Sequence, residues 1–180
     1  MIRTVLEDRA LVQDDLGDRR LQPVFTRGSI KEKRLWLPRV IDILEKLAGI
    51  SREETESVLD HDRLHWEMEF FLRHFASRII EPRAARRLEA ELVGLVEAIQ
   101  PDPVFAHRDF HSRNMMVDDG EIYLVDFQGS LRAPRAYDAV SFAWDAYMDL
   151  GKLRGEFLDD LENRGVLPAR EQVYLTALQR

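Results

Sequence analysis

Apolar positions change their spacing several times along this chain, and each change marks an element. The opening stretch, IRTVLEDRALVQDD, sets two short apolar runs around Glu7 and Asp8, which predicts a β-hairpin. The polar DDLGD that follows, with Gly17 for the turn, predicts a connection. Two strands alone are only marginally stable, so this hairpin is expected to belong to a larger sheet outside the chain. From Pro38 to Ala48 the spacing becomes helical, with Val40, Ile41, Leu44 and Leu47 on one face and Gly49 as the stop. Pro38 is expected at the helix start, where its missing N–H does no harm. Ser51 followed by Glu54 matches a capping box.

Between Asp62 and Ile80, Leu64, Met68, Phe71, Phe75 and Ile79 form one stripe. Burying each side chain stabilises by roughly 1.5–3 kcal/mol, so this helix is expected to anchor the core. At helical spacing, Trp66, Phe70, Phe71 and Phe75 also read as core rather than as a ligand box. Pro82 opens another helix with Leu88, Leu92, Leu95, Val96 and Ile99 inward. Its polar run EPRAARRLEAE reads as a solvated face with local ion pairs.

The pattern then shifts. PVFA, residues 103–106, predicts a strand that runs into the polar octet HRDFHSRN at 107–114. MMV and IYLVDF flank Asp118-Asp119-Gly120, a hairpin signal. A loop with Gly129 and Pro134 comes next, then a helix from about Tyr137 to Leu150, then further helices, one opening at Pro168. The whole predicts an α+β, mainly helical chain without internal repeats.

Composition narrows the function. The 180 residues suffice for one domain or one large lobe. A net charge of −7 and a pI near 5.3 argue against a nucleic-acid or anionic-membrane binder. They leave room for a nucleotide site, which needs only a few local cations or a metal. With no cysteine there is no disulfide framework and no thiolate chemistry. No apolar run is long enough for a membrane span and no signal-like segment follows Met1, so a cytoplasmic location is expected.

The octet has two readings: a solvated loop of turn residues and caps, or a catalytic loop. His107-Arg108-Asp109 is followed by Asn114, then a hairpin, then Asp126-Phe127. That is the order of kinase catalytic elements, an H-R-D loop with a downstream Asn and then D-F-G, although this chain reads DFQG. Phosphoryl transfer needs an oriented hydroxyl and neutralised phosphates. Asn114 and Asp126 offer the hard oxygens that Mg²⁺ prefers. Asp109 is placed to take the hydroxyl proton, a role worth about 10²–10⁴-fold in rate.

Three rivals stand beside that reading. His107, Asp109 and His111 alternate, and on a continued strand could share one face and bind zinc for hydrolysis. His61 and His65 lie four apart on a helix, but HDRLH lacks the glutamate of a zincin, and a solvated helix face is expected. The chain could also be a non-catalytic interaction module.

At these residues the chain resembles the aminoglycoside-phosphotransferase-like and choline-kinase-like branch of the protein-kinase fold. HRDFHSRNMMV, LVDFQGS and YDAVSFAWDAY look like the bacterial anomeric amino-sugar kinases, which phosphorylate the C1 hydroxyl of N-acetylmuramate and N-acetylglucosamine. RLHWEMEFFLRHF looks like a large-lobe helix, and LVQDDLGDRRL like the hinge between lobes. The resemblance implies a small-lobe hairpin remnant and hinge over 1–18 and a large lobe over 19–180, cut short at its C-terminus. It implies ATP and Mg²⁺ as cofactors and a small sugar as acceptor. By it, Asp15, Leu16 and Gly17 would meet adenine, Asp109 would be the base, and Asn114 and Asp126 would hold the metal. His107 would brace the loop, Asp138 would tie it to the next helix, and His111 and Arg113 would lie near the acceptor. One departure is large. The family's phosphate-covering loop and its lysine have no match, since Lys31, Lys33, Lys46 and Lys152 all follow the hinge. The isolated chain is therefore expected to be catalytically crippled, with its hairpin edge open to pairing.

Overall fold

The structure, a computed structural model, describes residues 2–5, 10–51, 55, 57–99 and 102–179. Strands β1 (Ile2–Val5) and β2 (Ala10–Gln13) pair antiparallel, Ile2 opposite Gln13 and Val5 opposite Ala10, as the two short apolar runs predict. The connection through 14–18 then lays residues 19–21 alongside a later strand. Leu21 donates its N–H to the Met115 carbonyl at 2.8 Å, and Val117 donates to the Arg19 carbonyl at 2.7 Å. Arg20 faces Met116 in an antiparallel bridge.

Helix α1 (Gln22–Arg27) leads to the long α2 (Ile30–Ala48). Here the structure corrects the sequence reading. The helix starts eight residues before Pro38, because Ser29 and Glu32 form a reciprocal capping box that satisfies its first amides. Pro38 sits inside the helix. The box expected at Ser51 and Glu54 lies outside the described residues. Leu37, Val40, Ile41 and Leu44 face the core.

Helix α3 (His61–Phe71) continues through a wider turn at Leu72–Ala76 into a short last segment, α4 (Ser77–Ile79). Of the predicted stripe, Leu64 is buried, but Phe71, Phe75 and Ile79 are exposed, as are Trp66 and Phe70. The expectation of a core anchor fails because the apolar face exceeds what the packed elements cover. The rings stack on one another instead, Trp66 on Phe70 at 5.6 Å and Phe71 on Phe75 at 5.5 Å. Helix α5 (Pro82–Ala98) buries Val96 and, just past its end, Ile99. Leu88, Leu92 and Leu95 are half-buried.

Strand β3 (Pro103–Ala106) forms as predicted. Its partner is β6 (Leu131–Pro134), a stretch expected to be loop, and every residue of β6 is buried. Strands β4 (Met115–Asp118) and β5 (Glu121–Leu124) make the predicted hairpin. Its turn residues Asp119 and Gly120 have φ of 45° and 79°, the left-handed pair that a two-residue hairpin turn requires. Helix α6 (Tyr137–Ala143) is buried along its length and ends well before Leu150, and α7 (Leu153–Asn163) and α8 (Arg170–Gln179) follow. The main core gathers α1, α2, α6 and α7 around Phe25, Phe110, Phe142 and Phe157. Phe110 belongs to the octet, so the loop is rooted in that core by its own ring.

Candidate active site

The octet leaves β3 beside the first turn of α6. There the buried Asp138 accepts the His107 N–H at 2.6 Å and the Arg108 N–H at 3.0 Å. Two consecutive backbone amides on one carboxylate give the loop a fixed departure angle. Arg108 adopts φ of 70°, a left-handed backbone that an L side chain rarely takes, and the clamp maintains it. Its guanidinium reaches Glu67 of α3 at 3.0 Å, tying the loop to a second helix.

His107 is buried, with Nε2 3.1 Å from the Val125 carbonyl. Burial pushes its pKa below the ordinary histidine range, so the ring is neutral and Nε2–H donates to that carbonyl. It thereby connects the start of the octet to the end of β5, one residue before Asp126. Asp126 is itself left-handed at φ of 69°. Val125 also donates its N–H to the Asn114 carbonyl at 3.0 Å. Backbone bonds thus hold Asn114 and Asp126 on one wall.

The side chains on that wall are oriented. Asn114 donates from Nδ2 to the Asp109 carbonyl at 3.1 Å, which turns its Oδ1 the other way. Asp126 accepts a hydrogen bond from Gln128 through Oδ1. Asn114 and Asp126 line one cleft of about 570 Å³, together with Asp14, Leu16, Arg20, Arg113, Met116, Tyr123 and Gln128. An oriented amide oxygen and a carboxylate on one wall fit Mg²⁺, which takes few protein oxygens and keeps its waters. Asp109 is exposed at the mouth of the loop, and its carboxylate makes no hydrogen bond within the described chain.

In the connection after β2, Gly17 has φ of 67° and donates to the Asp15 carboxylate at 2.8 Å. Leu16 lines the cleft, whereas Asp15 and Gly17 shape the turn behind it.

The far end of the octet is held by a residue that sequence reasoning missed. Asp145, buried just past α6, accepts the Ser112 N–H at 2.8 Å and the Tyr147 N–H at 2.7 Å. It lies within YDAVSFAWDAY, but helical spacing through Leu150 hid its role. The helix ends early because Asp145 points back to the loop. Tyr147 then sits between the two expected acceptor residues. Its ring is 5.2 Å from the His111 ring and 3.8 Å from the Arg113 guanidinium carbon.

The zinc arrangement does not assemble. His107 turns to Val125, His111 to Tyr147 and Asp109 to solvent. Among the described residues no three His, Asp or Glu side chains gather as metal ligands. His61 and His65 are correspondingly structural. His61 lies 2.9 Å from the Ile99 carbonyl and His65 3.1 Å from Glu97, joining α3 to α5 rather than facing solvent alone.

Clamped loop, oriented amide and a carboxylate on the same wall are the observed geometry, and comparison with known proteins shows the family in which it occurs. The model of the phosphotransferase enzyme family, APH, matches residues 2–174, and the chain belongs to that family of enzymes. It is 29% identical over 158 residues to the N-acetylmuramate/N-acetylglucosamine kinase of Neisseria meningitidis serogroup B, covering 84% of this chain and 46% of that protein. It is 26% identical over 147 residues to the kinase of the same name from Pseudomonas aeruginosa, covering 79% and 43%. The chain thus spans less than half the length of these relatives. Among solved structures, an aminoglycoside phosphotransferase, a thermostable mutant in ternary complex with AMP-PNP and hygromycin B, superposes with a TM-score of 0.63. That match covers 90% of this chain and 59% of the other at 14% identity, and shows a shared fold of helices and small sheets. Among the described residues no helix is long and apolar enough to cross a membrane.

Proposed function

We propose that this chain carries the catalytic loop of an ATP-dependent phosphotransferase whose acceptor is a hydroxyl of a small amino sugar, the anomeric one. The observation that carries the reading is the cleft in which Leu16, Asn114 and Asp126 share one lining. On this reading, residues 1–18 are hinge and small-lobe hairpin and residues 19–180 the large lobe. Leu16 meets the adenine face, with Asp15 and Gly17 setting the turn behind it. Asn114 Oδ1 and the Asp126 carboxylate hold Mg²⁺. When bound, that ion neutralises charge on the phosphates. Asp109, whose carboxylate makes no hydrogen bond among the described residues, accepts the acceptor's hydroxyl proton. His111 and Arg113 lie on the acceptor side, and His107 keeps the loop in register with Asp126.

The amino-sugar choice rests on the names of the two relatives, 29% and 26% identical to this chain. None of the four lysines lines the cleft. We infer that this chain alone is a weak catalyst, because positioning and preorganised charge are most of what such enzymes supply.

The test is a transfer assay with ATP and Mg²⁺ against N-acetylglucosamine, N-acetylmuramate, choline and an aminoglycoside. Phosphate should appear on the amino sugars. Transfer confined to choline or the aminoglycoside would overturn the substrate assignment.

A further inference from the structure

Resting on that reading, we propose that Arg113 contacts the transferred phosphoryl group, bringing positive charge to it from the catalytic loop. Arg34, Arg135, Arg154 and Arg170 each hold a carboxylate. Arg113 holds none within the described chain, and its recorded contact is the Tyr147 ring, 3.8 Å from its guanidinium carbon. A guanidinium stacked on an aromatic face is pinned in plane, and its N–H edge remains available for a second partner. A planar fork of donors suits two oxygens of one tetrahedral oxyanion.

Location selects which oxyanion. Among the described residues, Arg113 and Arg20 are the cations that line the cleft, together with Asp14 and Asp126. Arg20 lies on the hinge side, bridged to Met116. Arg113 immediately precedes Asn114, the metal-binding candidate, on one tight turn (Ser112–Asn114). That turn is fixed from behind by the Asp145 carboxylate on the Ser112 N–H, and the same carboxylate fixes Tyr147 through its own N–H. Asp145 therefore sets both the backbone that carries Arg113 and the ring on which it rests. It is a positioning residue, and Arg113 is the catalytic one.

In the step itself the acceptor oxygen forms a bond to the γ-phosphorus, and the bond from that phosphorus to the β–γ bridging oxygen breaks. ADP leaves with that electron pair, and the acceptor's proton passes to Asp109. Charge spread over the equatorial oxygens of the transferring group is where Arg113 acts.

The test compares two nucleotides that differ only in the terminal group. MgADP and MgAMP-PNP are titrated calorimetrically into the protein and its Arg113→Ala variant. The variant should weaken AMP-PNP by roughly 10- to 100-fold, the strength of a charge-assisted contact, while ADP is held as before. Tyr147→Ala should lose part of that preference and Tyr147→Phe should restore it, since the ring alone supports the guanidinium. In the transfer assay Arg113→Ala should lower turnover by about 10³-fold, with Arg113→Lys between. Equal weakening of both nucleotides, or none, overturns the inference. So does a change confined to amino-sugar affinity. If neither nucleotide binds the parent protein, the assignment of this cleft to the nucleotide falls and takes this inference with it.

Discussion

Asp138 and Asp145, seven residues apart at the start and just past the end of one helix, grip opposite ends of the octet by its backbone. Asp138 takes the amides of His107 and Arg108, and Asp145 takes the amide of Ser112. Neither contact depends on a side chain of the loop.

Asp138→Asn retains one acceptor oxygen but places an NH₂ against the second amide. The loss of a charge-assisted bond and the stranded buried donor should cost about 1–3 kcal/mol. Urea unfolding of parent and variant measures it directly. A variant as stable as its parent would mean that the clamp contributes nothing net.

Asp109→Asn should lower turnover by about two to four orders of magnitude with nucleotide affinity little changed, because the substitution leaves the backbone carbonyl that orients Asn114 and alters only an exposed carboxylate. Turnover and MgAMP-PNP affinity, measured on the same preparation, separate the two effects. Near-normal turnover removes Asp109 from the role of base.

Asp126→Ala should abolish Mg²⁺-dependent nucleotide binding, whereas Asn114→Ala should only weaken it, since the carboxylate brings the full charge. Titrations with and without EDTA report the metal-dependent part of the affinity. The assignment fails if Asn114→Ala proves the more damaging.

His107 makes stability depend on pH, with a definite sign. Its folded-state pKa lies below the ordinary value because burial disfavours the imidazolium. At pH above about 6.5 both folded and unfolded chains hold it neutral. As pH falls below that value the unfolded chain binds the proton and the folded chain does not, so stability drops toward the folded pKa. Thermal melts between pH 8 and 5 should show this slope, and His107→Gln should flatten it. An unchanged slope in that variant assigns the effect to another group.

What the sequence disclosed follows from how local each signal is. The β4–β5 hairpin, the octet and Asp126 were legible because turn chemistry and motif order are written in neighbouring residues. Asp145 was not, because its partner Ser112 lies 33 residues away and helical spacing continues past it. Strand β6 was missed for the same reason. LRAP reads as a loop until β3 is laid beside it. The aromatic stripe of α3 was read as core because periodicity reports that a face is apolar, not that something covers it. Pro38 misled as a start signal because the true one, Ser29 with Glu32, lay upstream in a polar stretch.

The two-ended grip on the octet separates heritable shape from heritable chemistry. With the backbone held by carboxylates from outside, the side chains at 111 and 113 carry no burden of maintaining the loop. A replaced side chain at 111 should therefore leave the path of the loop, and with it the places of Asp109 and Asn114, as they are.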